Sequence, residues 1–178
     1  MVMDMATSVS ARGKIILAVK EGRSIPSGWA MDADGNDTPD AAAAMKGALL
    51  PFGEHKGYAV AFMIEVLAGI LSGSGYGPKH KDHYGRFDAP MGSGNLFAAV
   101  DVAKFLPPDE FAQDMREMTA LIRKGKVRPG FGAFLVPGEG EEISRARRVA
   151  GGIPLSAVVQ DDLCAEGERY GVALPEGM

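Results

Sequence analysis

From Tyr58 to Leu71 the chain is apolar on nearly every side of a helix, interrupted by Glu65 alone. A helix of that kind is expected to lie in the middle of a molecule, with the other elements packed around it. It is too short for a comfortable membrane span, and the central glutamate argues further against one. The helix is entered through Gly53-Glu54-His55-Lys56-Gly57. A helix start offers unpaired N–H groups and the positive end of the dipole, and a lysine there adds a full charge. Such a loop is a place to hold a phosphate or a carboxylate. It is not a Walker A loop, because the Gly-x-x-x-x-Gly-Lys-Ser/Thr spacing is absent.

At 178 residues, 46% of them hydrophobic, the chain is long enough for one domain with a core and marginal for two. The formal charge of -4 excludes the basic footprint of a nucleic-acid binder. Arg145, Arg147 and Arg148 stand beside Glu141 and Glu142 as a solvated helix face. Cys164 is the single cysteine, so no intrachain disulfide forms and a reducing compartment is expected. No cationic segment followed by an apolar one opens the sequence as in a secretory signal. We therefore expect a cytoplasmic protein with neither membrane nor nucleic-acid partners.

Val2 to Met5 has the character of a strand end. Ser8 or Ser10 is placed to cap a helix running to about Glu21, with Ala11, Ile15, Ala18 and Val19 on one face and Gly22 as its stop. Residues 29–32 read as extended, and Asp34-Gly35 as a tight turn. Thr38-Pro39-Asp40 starts a short alanine-rich helix ending near Gly47, and residues 48–52 form an apolar connector. Residues 73–94 are a long loop, which marks it for function or disorder. Strands are expected at 95–102 and 133–136, and helices from Pro107 to about Lys124, from Glu142 to Ala150 and from Ser156 to Tyr170. Phe111, Met115, Met118 and Ile122 would form the core stripe of the first of these. Strands and helices without a regular βαβ rhythm predict an α+β (mixed α/β) fold.

The motifs carry more than the composition. Asp4-Met5-Ala6-Thr7-Ser8 followed by Ala11-Arg12-Gly13-Lys14-Ile15 resembles a segment of the malate/L-lactate dehydrogenase-like family, the group without a Rossmann fold. So do Ile25-Pro26-x-Gly28-Trp29-Ala30-x-Asp32-x-x-Gly35 and Leu50-Pro51-Phe52-Gly53-x-His55-Lys56-Gly57-Tyr58. Glu65-x-Leu67-Ala68-Gly69-x-Leu71, Pro137-Gly138-Glu139 and Gly152-Ile153-Pro154-Leu155 complete the order. The resemblance implies reduction of 2-oxo acids or related imino acids with NAD or NADP as cofactor. Known substrates of the family include malate, lactate, sulfolactate, ureidoglycolate, diketogulonate and cyclic imino acids. It also implies a homodimer and a mainly antiparallel, non-Rossmann cofactor-binding sheet flanked by helices, and the absence of Gly-x-Gly-x-x-Gly agrees.

Family chains are longer, and their catalytic histidine lies in a Ser-His-Gly segment near the N-terminus. No Ser-His-Gly occurs here. Residues 1–178 are therefore expected to be a single region resembling the C-terminal half: the cofactor-binding portion plus C-terminal helices. The catalytic segment is expected outside them, in a missing half with which the chain would pair. No catalytic residue is assigned, and giving that role to His55 would go against the family pattern.

By resemblance Asp4, Met5, Ala6, Thr7 and Ser8 contact the cofactor; the ordinary alternative is a segment whose hydroxyls cap a helix. His55, Lys56 and Gly57 are assigned to the cofactor's phosphate or ribose, against a surface lysine and a capping histidine. Positive charge opposes the dipole at a helix start, which favours an anionic partner. Arg12 and Lys14 are placed to clamp a substrate carboxylate, a role for which arginine's bidentate geometry suits it, or to lie on a solvated helix turn. An acidic residue is expected in place of Lys14 in relatives that act on imino acids, so lysine leans towards 2-hydroxy and 2-oxo acids. Pro137, Gly138 and Glu139 resemble a late cofactor-contacting turn, against a plain strand-to-helix turn. Glu65 is buried by pattern and needs a partner, a backbone or lysine group. His80 and His83 are too few and too weakly spaced for a metal site, so no metal is expected. Cys164 reads as a small core residue.

The sequence thus reads as part of an NAD(P)-dependent oxidoreductase acting on a small 2-hydroxy or 2-oxo acid of the malate/lactate type. The rival reading is a non-catalytic dinucleotide-binding or dimer-assembly module.

Overall fold

Residues 1–81 and 88–173 are described by the computed structural model. They divide into two compact units: Ala6–Val100, and Met1–Met5 together with the chain from Asp101 onward.

The core of the Ala6–Val100 unit grows from small side chains. Helix α1 (Arg12–Lys20) buries Ile15 and Ala18. It ends where Gly22 takes a φ of 63°, a backbone conformation that glycine adopts without a Cβ clash. Ile25 leads to strand β1 (Ala30–Met31), whose partner is β2 (Ala48–Leu49), antiparallel, with Ala30 opposite Leu49. Between them Asp40 caps helix α2 (Ala41–Ala44) by accepting hydrogen bonds from the N–H groups of Ala42 and Ala43. Ile15, Ala18, Ile25, Ala30, Ala41 and Ala44 form the buried cluster, and Trp29, Met45 and Leu49 pack against it.

Two expectations change in this region. Residues 48–52 do more than connect, since Ala48 and Leu49 supply the second strand. Neither Ser8 nor Ser10 caps α1: the cap position is Ala11 without a side-chain bond, and Ser8 Oγ donates instead to Ser10 O at 2.8 Å. Of the expected α1 face, Ile15 and Ala18 are buried, but Val19 is 42% exposed.

Helix α3 (His55–Ile64) continues into a wider π-helical stretch, Glu65–Ile70. The Leu71 N–H donates to Val66 O and the Ser74 N–H to Gly69 O, five residues back in each case. The looser winding leaves carbonyls to other donors, and Ser72 Oγ donates to Ala68 O at 2.5 Å. Glu65 finds the backbone partner expected of it, accepting from the Gly77 N–H. The expectation of a central buried helix fails here: Tyr58 is 62% exposed, Phe62 59% and Leu71 70%. Small side chains build this unit's core around α1 and α2, and the buried residues of α3 and the π-helical stretch are Gly57 and Gly69.

The second unit is mainly helical: α4 (Pro108–Arg123), α5 (Glu139–Gly151) and α6 (Ala157–Tyr170). Pro108 opens α4 in the first turn, where its missing N–H costs nothing, and Asp109 and Glu110 suit the dipole. The stripe on α4 is only partly covered, with Phe111, Met118 and Ile122 each 40% exposed or more. Val136 is buried in the segment before α5. The strands expected at 2–5, 95–102 and 133–136 do not form. Val2 makes a single backbone bond to Pro137 O, Val102–Lys104 is a short 3-10 turn, and 133–136 is irregular. The fold is mixed, helical with a small antiparallel sheet.

Candidate functional site

Two of the segments assigned to the cofactor lie side by side in the Ala6–Val100 unit. The Phe52 N–H donates to Thr7 O at 3.0 Å and the Val9 N–H to Leu50 O at 2.8 Å. Ser8 sits opposite Pro51 in an antiparallel bridge. The antiparallel direction carries Ala6 towards Gly53 and the start of α3. It also carries Leu50 towards Ser10 and the start of α1.

The loop into α3 is strained. Gly53 has a φ of 55°, and Glu54, the cap residue, has φ 54° and ψ −122°. Glu54 is the only non-glycine residue with positive φ among the described residues. Strain of this sort persists where the surroundings enforce it, and it concentrates at ligand-holding turns. His55 and Lys56 are exposed on the first turn, whereas Gly57 is buried. A Cβ on Gly57 would lie 2.0 Å from Phe52 O, so only glycine lets the helix start press on that carbonyl. Phe52 therefore links Thr7, through its N–H, to Gly57, through its C=O.

Charge differs from one helix start to another, and α6, like α1 and α3, opens without an acidic residue. Neither α1 nor α3 carries an acidic residue in its first turn, and instead they carry Arg12, Lys14 and Lys56. By contrast α4 opens with Asp109 and Glu110, and α5 with Glu139, Glu141 and Glu142. Cations at an N-terminus oppose the dipole unless an anion joins them. The Lys14 Nζ lies 5.8 Å from the centre of the Trp29 ring, a cation–π distance. Arg12 and Lys14 lie at the opposite end of the Ser8–Pro51 ladder from His55 and Lys56, so they form a separate cationic start.

Asp4 and Met5 belong to the other unit, as do Pro137, Gly138 and Glu139. The Val2 N–H donates to Pro137 O at 3.1 Å. Gly138 caps α5 with φ 97°, and a Cβ there would lie 3.1 Å from both Val2 N and Val2 O. The Glu139 carboxylate closes the turn, with Oε2 accepting from the Val136 N–H at 2.8 Å and Oε1 pairing with Arg123. The Val136 N–H, and next the Arg123 guanidinium, hold the Glu139 carboxyl below the usual glutamate value. An open cleft of 650 Å³ lies here, lined in part by Val2, Met115, Arg123 and Pro137.

Arg123 and Phe52 were not legible in the sequence. An arginine in a last helical turn reads as a dipole match, and nothing in its spacing points to Glu139, sixteen residues on. Phe52 acts through its backbone, which leaves no signature in side-chain type. Among the described residues no group of three or more His, Cys, Asp or Glu is arranged to hold a metal ion. Asp82 and His83 lie outside the described residues. No described helix is long and apolar enough to cross a membrane. Cys164 is partly buried.

The model of the malate/L-lactate dehydrogenase family matches residues 1–164. The chain belongs to this family. An L-sulfolactate dehydrogenase of Methanothermobacter thermautotrophicus is 42% identical over 153 residues, covering 86% of this chain and 43% of that protein. A delta(1)-pyrroline-2-carboxylate reductase of Agrobacterium fabrum is 41% identical over 159 residues, covering 88% and 44%. The solved sulfolactate dehydrogenase of Methanocaldococcus jannaschii superposes with a TM-score of 0.76 at 35% identity, over 96% of this chain and 48% of that one. The chain thus spans under half the length of these malate/L-lactate dehydrogenase relatives.

Proposed function

We propose that this chain is the cofactor-holding part of an NAD(P)-dependent oxidoreductase that interconverts a small 2-hydroxy acid and its 2-oxo acid. The observation that carries the reading is the strained Gly53–Glu54 loop, which feeds a helix whose first turn bears Lys56 and, beyond the cap residue Glu54, no acidic residue. These residues fit the phosphates of a dinucleotide: backbone N–H groups and a lysine face one end, and buried Gly57 lets the backbone pack closely there. When bound, the nicotinamide supplies the hydride chemistry.

The chain's own residues bind and orient. His55, Lys56 and Gly57, with Ala6, Thr7 and Ser8 on the adjacent ladder, contact the phosphates and ribose. In the second unit, and argued separately, Asp4, Met5, Pro137, Gly138 and Glu139 are assigned to cofactor contact. Arg12 and Lys14 orient the substrate carboxylate, and Lys14 favours an oxo acid over an imino acid. The proton donor for the developing alkoxide is assigned to a histidine outside residues 1–178, in a segment this chain pairs with. Homodimeric assembly and a cytoplasmic location complete the reading.

Fluorescence titration of the chain with NADH and with NADPH tests it. Saturable binding in the micromolar range, with a preference that identifies the nucleotide, is the expected result. Lys56→Ala should weaken binding about tenfold or more, as loss of one charge-assisted phosphate contact does. The same substitution should raise the stability of the nucleotide-free chain by about 0.3–1 kcal/mol, because it removes a cation from the positive end of α3. Equal binding by the two proteins would reject Lys56 as a phosphate contact. Absence of binding at millimolar nucleotide would reject a self-sufficient cofactor site.

A further inference from the structure

We infer that Arg123 is a positioning residue for the cofactor-contacting turn, acting through Glu139 without touching the nucleotide. The inference rests on the assignment of Pro137–Glu139 to the cofactor. Its physical basis is the set of bonds that fix the turn. Arg123 is the last residue of α4, and its guanidinium pairs with Glu139 Oε1. The second oxygen, Oε2, accepts from the Val136 N–H at 2.8 Å, while the Glu139 N–H donates to Val136 O at 3.1 Å. One carboxylate thus closes the turn on the side facing α4.

The turn in turn fixes the segment before Asp4 and Met5. The Pro137 carbonyl accepts from the Val2 N–H at 3.1 Å, and Gly138 lies against Val2, where a Cβ would come within 3.1 Å of its backbone N and O. Loss of the bond from the Val136 N–H to the Glu139 carboxylate would loosen the turn that presents Pro137 O to Val2, and the pair with Arg123 opposes that loss. Its side chain is 54% exposed against 27% for Glu139, so its partner and not burial defines its place. The pair is a single contact from one guanidinium nitrogen to Oε1, whose charge lysine would keep on a more flexible stem.

The test compares the unsubstituted chain with Arg123→Ala and Arg123→Lys in NADH or NADPH titrations across pH, alongside amide hydrogen exchange without nucleotide. Arg123→Ala should raise the dissociation constant by up to about tenfold, the limit reached if the whole of one charge-assisted hydrogen bond serves to hold the turn in its binding form. Arg123→Lys should recover part of that loss. The pH profile supplies a reading that general destabilisation would not move. The folded Glu139 carboxyl lies below its ordinary value, so its clamp is complete above that value and lost as pH falls through the lowered one. In Arg123→Ala that loss should begin at a higher pH than in the unsubstituted chain. The Val2 and Val136 amides should exchange faster in Arg123→Ala, while amides of the Ala6–Val100 unit keep their rates. Unchanged affinity, pH profile and exchange in Arg123→Ala would overturn the inference. Because exchange is read without nucleotide, a failed clamp is distinguishable from a failed cofactor assignment, which would show as no binding by the unsubstituted chain.

Discussion

Gly57 shows how far one absent side chain reaches. Its Cα rests against the Phe52 carbonyl, and a methyl group would lie 2.0 Å from that oxygen and 3.0 Å from Phe52 C and N. Those are backbone atoms of a residue whose N–H is already bonded to Thr7 O, so the clash has no flexible side chain to absorb it. Gly57→Ala should destabilise the chain by about 1–3 kcal/mol, the usual range for overpacking. The midpoint of urea unfolding measures this. Gly13→Ala is the contrast: its added methyl meets nothing within 4 Å, and it gains helix propensity inside α1. Equal midpoints for the two variants would refute the packing argument. The motif around Gly57 was visible in the sequence, but the reason for its glycine was not, because that lies in a carbonyl five residues earlier.

The loop between β1 and α2 is held by two carboxylates. Asp37 accepts from the Ser27 hydroxyl and from the Gly28 N–H, and Asp32 accepts from the N–H groups of Asp34 and Asn36. The Ser27 hydroxyl chiefly, then the Gly28 N–H, lower the Asp37 carboxyl below its ordinary 3.8, and the Asn36 N–H chiefly lowers that of Asp32. Folded values below unfolded ones give a stabilisation that is complete above the ordinary aspartate range and lost as pH falls through the lowered values. Trp29, the one tryptophan, follows Gly28 directly and should report this. Its fluorescence should hold steady from neutral pH to about 4 and change below it, near the ordinary aspartate range. In Asp37→Asn that acid step should shrink. A step of the same size in the variant would assign it elsewhere. At this scale the sequence served well where signals are local: Pro108 at a helix start, Asp40 as a cap and Gly22 as a stop. It served poorly for strands. A strand is completed by a partner, and the apolar runs at 2–5, 95–102 and 133–136 have no ladder, while Ala48 and Leu49 found one at Ala30 and Met31.

Taken whole, the molecule leaves much apolar surface uncovered. Tyr58, Phe62, Met63, Ile70 and Leu71 are all more than half exposed. The sequence pattern placed this helix in the middle of the molecule, but a hydrophobic run does not state which partner covers it. Exposed apolar surface on this scale binds hydrophobic dyes and promotes association. The chain should therefore enhance the fluorescence of an anilinonaphthalene dye under native conditions, and Phe62→Ser should reduce both that signal and light scattering at high concentration. A chain that neither binds dye nor associates would show this face to be covered. The two units also differ in how the polypeptide supplies them. Ala6–Val100 is one uninterrupted run, whereas the other unit draws its first five residues from far ahead of the rest. On the ribosome the uninterrupted run is synthesised in full before any of α4, so it is the first of the two units to be complete. The Val2 amide must then wait for its acceptor until Pro137 is synthesised, so the turn proposed to contact the cofactor is completed only after the whole of α4 has been made.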